Sequence, residues 1–161
     1  MVRNGLIEKA DVAILGDKIE RIAVDIQPSD NDKVYDCTGL TIMSGLVDLH
    51  VHLREPGFFY KETIETGSMA AAHGGYTAVC TMPNLNPVPD SAENLAEQLR
   101  LIDGGATIKV LPYGAITVEQ KGERLSNMQA MANNVIAFSD DGRGVQSDEM
   151  MRKAMIKAKE V

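Results

Sequence analysis

Hydrophobic and polar positions change their rhythm near residue 41. Up to about residue 42 the apolar residues come in short strand-like runs without helical period, and residues 11–15 and 18–24 flank Gly16-Asp17, a two-residue hairpin signal. From Thr41 onward a strand, a helical stretch and another strand succeed one another, four times over. Strands are predicted at residues 45–52, 76–82, 108–113 and 135–139. Helices are predicted at about 63–73, stopped by Gly74-Gly75, and from Asp90, with Glu93 completing a capping box, to Gly104-Gly105. A weaker helix follows at about 126–132, and a fourth opens at Ser147 with Asp148 and Glu149 in its first turn. Such alternation is the mark of a parallel α/β sheet or barrel.

The last helix carries Met150, Met151, Ala154, Met155 and Ala158 as an apolar stripe, which reads as a core-packing face. No cap or stop signal precedes Val161, so the chain is expected to be the N-terminal part of a longer protein.

Composition narrows the class. The 161 residues are 44% apolar and 24% charged, a globular balance, and the net charge of -7 with scattered Lys and Arg disfavours a nucleic-acid binder. No stretch approaches the roughly 18 consecutive apolar residues of a membrane span, and Met1 to Gly5 begin no apolar signal region, which places the protein in the cytoplasm. Cys37 and Cys80 are too few and too far apart for a disulfide framework or a metal-binding pair, and are expected to be buried, reduced thiols.

Candidate chemistry lies in the first strand of the alternating region. Alternation sends Asp48, His50 and His52 to one face and Val47, Leu49 and Val51 to the other. The apolar set is expected under helices, and the imidazoles at the C-terminal end, where barrel enzymes place their catalytic groups. Two histidines at i and i+2 can hold one metal ion from the same side. Asp48 is expected below them as an orienting partner. In the fourth strand, parity sends Ile136, Phe138 and Asp140 beneath the helices and Asp141 inward, provided the strand stays extended that far. His73 ends a helix, where the dipole alone favours it, and is left out of the site.

The run Gly45-Leu46-Val47-Asp48-Leu49-His50-Val51-His52-Leu53-Arg54-Glu55-Pro56-Gly57 resembles the first metal-binding strand of dihydroorotases in the amidohydrolase superfamily. Lys61-Glu62-Thr63-Ile64-Glu65-Thr66-Gly67, Met82-Pro83-Asn84 and Asp140-Asp141-Gly142 agree in order. The resemblance implies an α/β fold: the first half of a (β/α)8 TIM-type barrel over residues 43–161, preceded at 1–42 by part of a small β-sandwich that a far C-terminal segment completes. It implies one or two zinc ions per intact subunit, held by His50, His52 and the catalytic carboxylate Asp141, with Arg54 and Asn84 binding the substrate carboxylate.

The implied reaction is the reversible cyclisation of N-carbamoyl-L-aspartate to L-dihydroorotate in pyrimidine biosynthesis. The related hydantoinases and allantoinases bridge their metals with a carbamylated lysine on the fourth strand, and no lysine lies between Gly122 and Arg152. A hydantoinase-like amidase therefore stands as an alternative, as does a non-catalytic partner of aspartate transcarbamoylase, although the retained ligands argue against the latter. A homodimer or an association with aspartate transcarbamoylase is left open. Two further histidines and a proton-shuttling aspartate come from later strands in that family. About 120 residues follow Thr41, against roughly 250 for a whole barrel, so this chain alone is expected to show no turnover and weak zinc binding.

Overall fold

A computed structural model describes residues 5–161 in full and the backbone of Val2 and Arg3. The chain divides into two units, Met1–Ser44 and Gly45–Val161. The first holds two antiparallel pairs: β1 (Val2–Arg3) with β2 (Leu6–Ile7), and β3 (Asp11–Leu15) with β4 (Lys18–Ala23). Gly16 closes the second hairpin at a φ of 62°, a left-handed position that glycine adopts without Cβ strain. Residues 24–44 carry no regular structure; there Asp11 accepts a hydrogen bond from the Ile26 amide at 3.0 Å. Cys37 lies in this stretch and is exposed, contrary to the expectation of two buried thiols, because no core forms around it. Leu6, Ile7, Ile14, Leu15 and Ile19 are exposed as well.

The second unit is built on β5 (Leu46–Val51), α1 (Ile64–His73), β6 (Tyr76–Thr81), α2 (Ala92–Gly105), β7 (Lys109–Gly114), α3 (Met128–Met131), β8 (Ala137–Phe138) and α4 (Asp148–Glu160). Its four strands are parallel and stand in the order β5-β6-β7-β8. Each strand is laid beside its predecessor without reversal, which is how a barrel winds; a doubly wound sheet reverses at a switch point. The Tyr113 hydroxyl donates to the Leu49 carbonyl at 3.2 Å. Strands lie about 4.8 Å apart, so a side chain of β7 reaches β5 across β6 only if the sheet curls toward that face. Burial pushes the Tyr113 hydroxyl above its usual pKa, with Cys80 adding to the shift, which keeps it a donor.

Local signals set the helix ends. Thr63 caps α1 by accepting from the Thr66 amide, and Ser147 caps α4 by accepting from the Met150 amide. The start of α2 differs from expectation: Ser91 is its N-cap, accepting from the Asn94 amide. Asp90 is instead engaged with Asn94 Nδ2 at 2.9 Å and the Glu119 amide at 2.8 Å, so a tertiary contact outcompetes the capping role. The third crossover is one turn of α3 followed by a 3-10 turn at Ala132–Asn134.

Leu53, Ile64, Val79 and Val110 form the core between sheet and helices, each burial worth about 1.5–3 kcal/mol. Val51 packs against them, but Val47 and Leu49 are 54% and 64% exposed, against the expectation that all three lie under helices. The reason is positional. β5 is the edge of the sheet among the described residues, and α1 packs over β6 and Val51, leaving the other flank uncovered. Ala154 of α4 is buried, whereas Met155 is 66% exposed, so the methionine stripe is packed only in part. Among the described residues no helix is long and apolar enough to cross a membrane.

Candidate metal centre

Every candidate side chain leaves the sheet at the C-terminal ends of its strands. His50 lies near the end of β5 and His52 just beyond it; Asn84 follows β6, and Asp141 follows β8. The strict alternation expected along β5 does not hold. Asp48 pairs with Val79 and Val51 with Thr81, so β5 carries one extra residue there and the register slips. Asp48 consequently turns its carboxylate to the His50 backbone amide, at 3.0 Å, and does not orient an imidazole as expected. The same irregularity leaves the Leu49 carbonyl free for Tyr113.

Beyond the bulge the two imidazoles converge. Their rings meet edge to face at a centroid distance of 5.3 Å. His50 Nε2 lies 3.3 Å from Asp141 Oδ1, and His52 Nε2 lies 3.7 Å from Asp141 Oδ2. The donor atoms of all three residues fall within 4.8 Å of one another. Zinc takes imidazole nitrogen and carboxylate oxygen at about 2.0–2.2 Å in tetrahedral geometry, which places neighbouring donors about 3.4 Å apart. The two nitrogen-to-oxygen separations, one to each carboxylate oxygen, lie near that value, so these side chains could hold a small cation.

Two neighbouring aspartates have opposite environments. Asp140 is only 3% exposed and accepts from the Ile116 amide at 2.8 Å, the Thr117 amide at 3.1 Å and the Thr117 hydroxyl. Its own carbonyl accepts from the Arg143 and Gly144 amides at 3.1 and 2.7 Å. Asp140 thus pins the turn after β8 to the loop after β7, and Asp141 projects toward the histidines from that anchored base. The sequence placed Asp140 beneath the helices but did not identify its anchoring partners Ile116 and Thr117. The available signal was a carboxylate assigned to a buried strand face, which must find donors nearby.

Arg54 and Asn84 stand at the same end of the sheet. Arg54 holds a left-handed backbone, φ 61°, and among the described residues its guanidinium makes no hydrogen bond or ion pair. Asn84 is engaged on both sides of its amide, at 3.0 Å from His52 Nδ1 and 2.8 Å from Asp141 Oδ2. The loops that carry them are tied together where the Asn86 amide donates to the Pro56 carbonyl at 3.2 Å. Gly57 permits this approach: its φ is 96°, and a Cβ there would fall 2.3 Å from the Asn86 carbonyl oxygen. Gly57→Ala is therefore expected to destabilise the protein by roughly 1–3 kcal/mol, measured as a lowered midpoint in urea unfolding. Glu55 supports the same segment by accepting from the Ile64 amide at 2.8 Å, at the start of α1.

Two other groups stay outside this cluster. His73 ends α1. Cys80 is buried in β6, and burial, with the Asp48 carboxylate nearby, raises its thiol pKa and disfavours the thiolate.

A sequentially wound parallel sheet with two histidines and a carboxylate converging at its C-terminal end is a half-barrel whose side chains could hold a metal ion. The solved structure of L-hydantoinase (dihydropyrimidinase) from Arthrobacter aurescens superimposes with a TM-score of 0.77 at 20% identity, over 92% of this chain and 34% of that one, and shares the fold. The dihydro-orotase-like family profile matches residues 39–161, and the chain belongs to that family. It is 51% identical to a dihydroorotase of Fusobacterium nucleatum over 97% of its length, and 48% identical to a dihydroorotase of Staphylococcus aureus over all of it. The chain spans 36% and 38% of the length of these two relatives.

Proposed function

We propose that the complete protein carrying this chain is a dihydroorotase, interconverting N-carbamoyl-L-aspartate and L-dihydroorotate. The observation that carries this reading is the meeting of His50, His52 and Asp141 beyond the C-terminal ends of the strands, in a chain about half identical to dihydroorotases. In this reading His50 and His52 offer two Nε2 donors to zinc and Asp141 supplies the catalytic carboxylate. Bound zinc polarises a carbonyl and lowers the pKa of water. Arg54 receives the substrate carboxylate, since a guanidinium fork donates two parallel hydrogen bonds to it. In the same reading Asn84 contributes a further polar group to that carboxylate.

The domain reading accompanies this. Residues 43–161 form the first four βα units of the barrel, and residues 1–42 contribute to a composite β-sandwich. The exposed apolar residues of β2, β3 and β4 support the latter, because a sandwich half presents such a face to its counterpart.

Arg54→Met is expected to raise KM for dihydroorotate by about 10–100-fold, the equivalent of one lost charge-assisted pair, with a smaller change for hydantoin, which has no carboxylate. The same assay tests the function. Turnover of dihydroorotate far above that of hydantoin or dihydrouracil supports the proposal, whereas preference for the uncharged rings supports a hydantoinase-like amidase. Size-exclusion of the complete protein with and without aspartate transcarbamoylase tests whether it forms a homodimer or that complex.

A further inference from the structure

The side-chain amide of Asn84 has two partners whose chemistry leaves one arrangement. Asp141 Oδ2 is a carboxylate oxygen and only accepts, so the Asn84 atom 2.8 Å from it is the nitrogen, which donates. The amide oxygen then faces His52 Nδ1 at 3.0 Å. An amide oxygen only accepts, so His52 Nδ1 carries a proton. In neutral imidazole the other nitrogen, Nε2, then holds a lone pair, and it lies 3.7 Å from Asp141 Oδ2. Two acceptors facing each other repel unless a proton or a metal cation lies between them.

We propose that Asn84 is a positioning residue of the cation site. It selects the His52 tautomer, aims the ring, and fixes the rotation of the Asp141 carboxylate before an ion arrives. This goes beyond a substrate-binding role, because both ends of the amide are engaged by side chains of the cation site, His52 Nδ1 donating to it and Asp141 Oδ2 accepting from it. Among the described residues His50 has no such partner: its ring contacts are Asp141 and the edge of His52. Asn84 therefore acts on two of the three donors and leaves the third unguided.

The inference rests on the reading of His50, His52 and Asp141 as metal ligands, and the test separates the two. The complete protein, stripped of metal, is titrated with Co2+ in competition with a chromophoric chelator. Independently, the His52 ring nitrogens of the metal-free protein are observed by 15N NMR. The wild type is expected to bind Co2+ and to show a single His52 tautomer protonated at Nδ1. In Asn84→Ala the Co2+ affinity falls about 10–100-fold, the usual cost of removing an outer partner of a ligand, and both His52 tautomers appear. If that variant does not fold, Asn84→Asp takes its place. It keeps the acceptor toward His52 and loses the donor toward Asp141, so the Nδ1-protonated tautomer persists. Unchanged Co2+ affinity and tautomer in Asn84→Ala, with only KM for dihydroorotate raised, would reduce Asn84 to a substrate contact and overturn the proposal. A mixed tautomer in Asn84→Asp does the same. Failure of the wild type to bind Co2+ overturns the metal reading itself.

Discussion

Alanine in place of His52 is expected to remove metal from the purified complete protein and to abolish dihydroorotate turnover. The argument is one of donor count and geometry. His50, His52 and Asp141 bring three donor atoms within 4.8 Å, and a tetrahedral site deprived of one loses a bond to the ion itself. The cost should exceed the roughly 10–100-fold that outer-partner changes produce. His52→Ala also releases the Asn84 carbonyl, so that amide is free to rotate away from Asp141 and a second donor loses its orientation. Metal content by elemental analysis, together with turnover at saturating added zinc, is the check. His73→Ala, at the end of α1, should leave metal content unchanged.

The second large effect is expected at Asp140, through stability. Asp140→Ala deletes a buried acceptor and strands the Ile116 and Thr117 amides and the Thr117 hydroxyl without their partner. Each buried donor left unsatisfied costs about 1–3 kcal/mol. A net loss near 3 kcal/mol, with local relaxation and water entry offsetting part of the sum, lowers Tm by about 6–12 °C for a domain of this size. Asp141→Ala is predicted to behave in the opposite manner, with metal lost and Tm of the metal-free protein little changed, because its carboxylate faces the histidines and not the fold. Thermal unfolding of the two metal-free variants separates the aspartates: equal Tm values would show that Asp140 does not anchor the turn.

The wrapping of this chain could be read from its residues wherever local chemistry decides the outcome. Thr63 and Ser147 cap helices because their hydroxyls reach the amides three residues on, and the end of α1 falls at Gly74. The alternation of strands and helices is similarly local, since each element must bury one apolar face. Reading fails where a residue's partner lies far along the chain. Asp90 has the right type and spacing for a cap, yet the Glu119 amide, 29 residues away, takes its carboxylate and Ser91 caps α2 instead. Parity along β5 fails because the slip between Asp48 and Val51 depends on pairing with β6, which no alternation pattern in β5 encodes. Val47 and Leu49 look like core residues by type, but a sheet edge leaves them exposed.

At the site the same distinction holds. His50, near the end of β5, and His52, just beyond it, are two residues apart, so their proximity is local in the sequence. Asn84 meets Asp141 across 57 residues, and Asp140 meets Thr117 across 23; these contacts exist only once the sheet has wound. The anchored turn and the doubly engaged amide are products of topology, which is why residue types alone pointed to ligands and not to what holds them.

In the complete protein His50, His52 and Asp141 are expected to share one divalent ion. Anomalous diffraction from crystals of the complete protein, collected on both sides of the zinc edge, tests it most directly. An edge-dependent peak is expected within about 2.0–2.2 Å of His50 Nε2, His52 Nε2 and an Asp141 carboxylate oxygen. A fully loaded, active protein whose only anomalous peak lies away from these three side chains would contradict it.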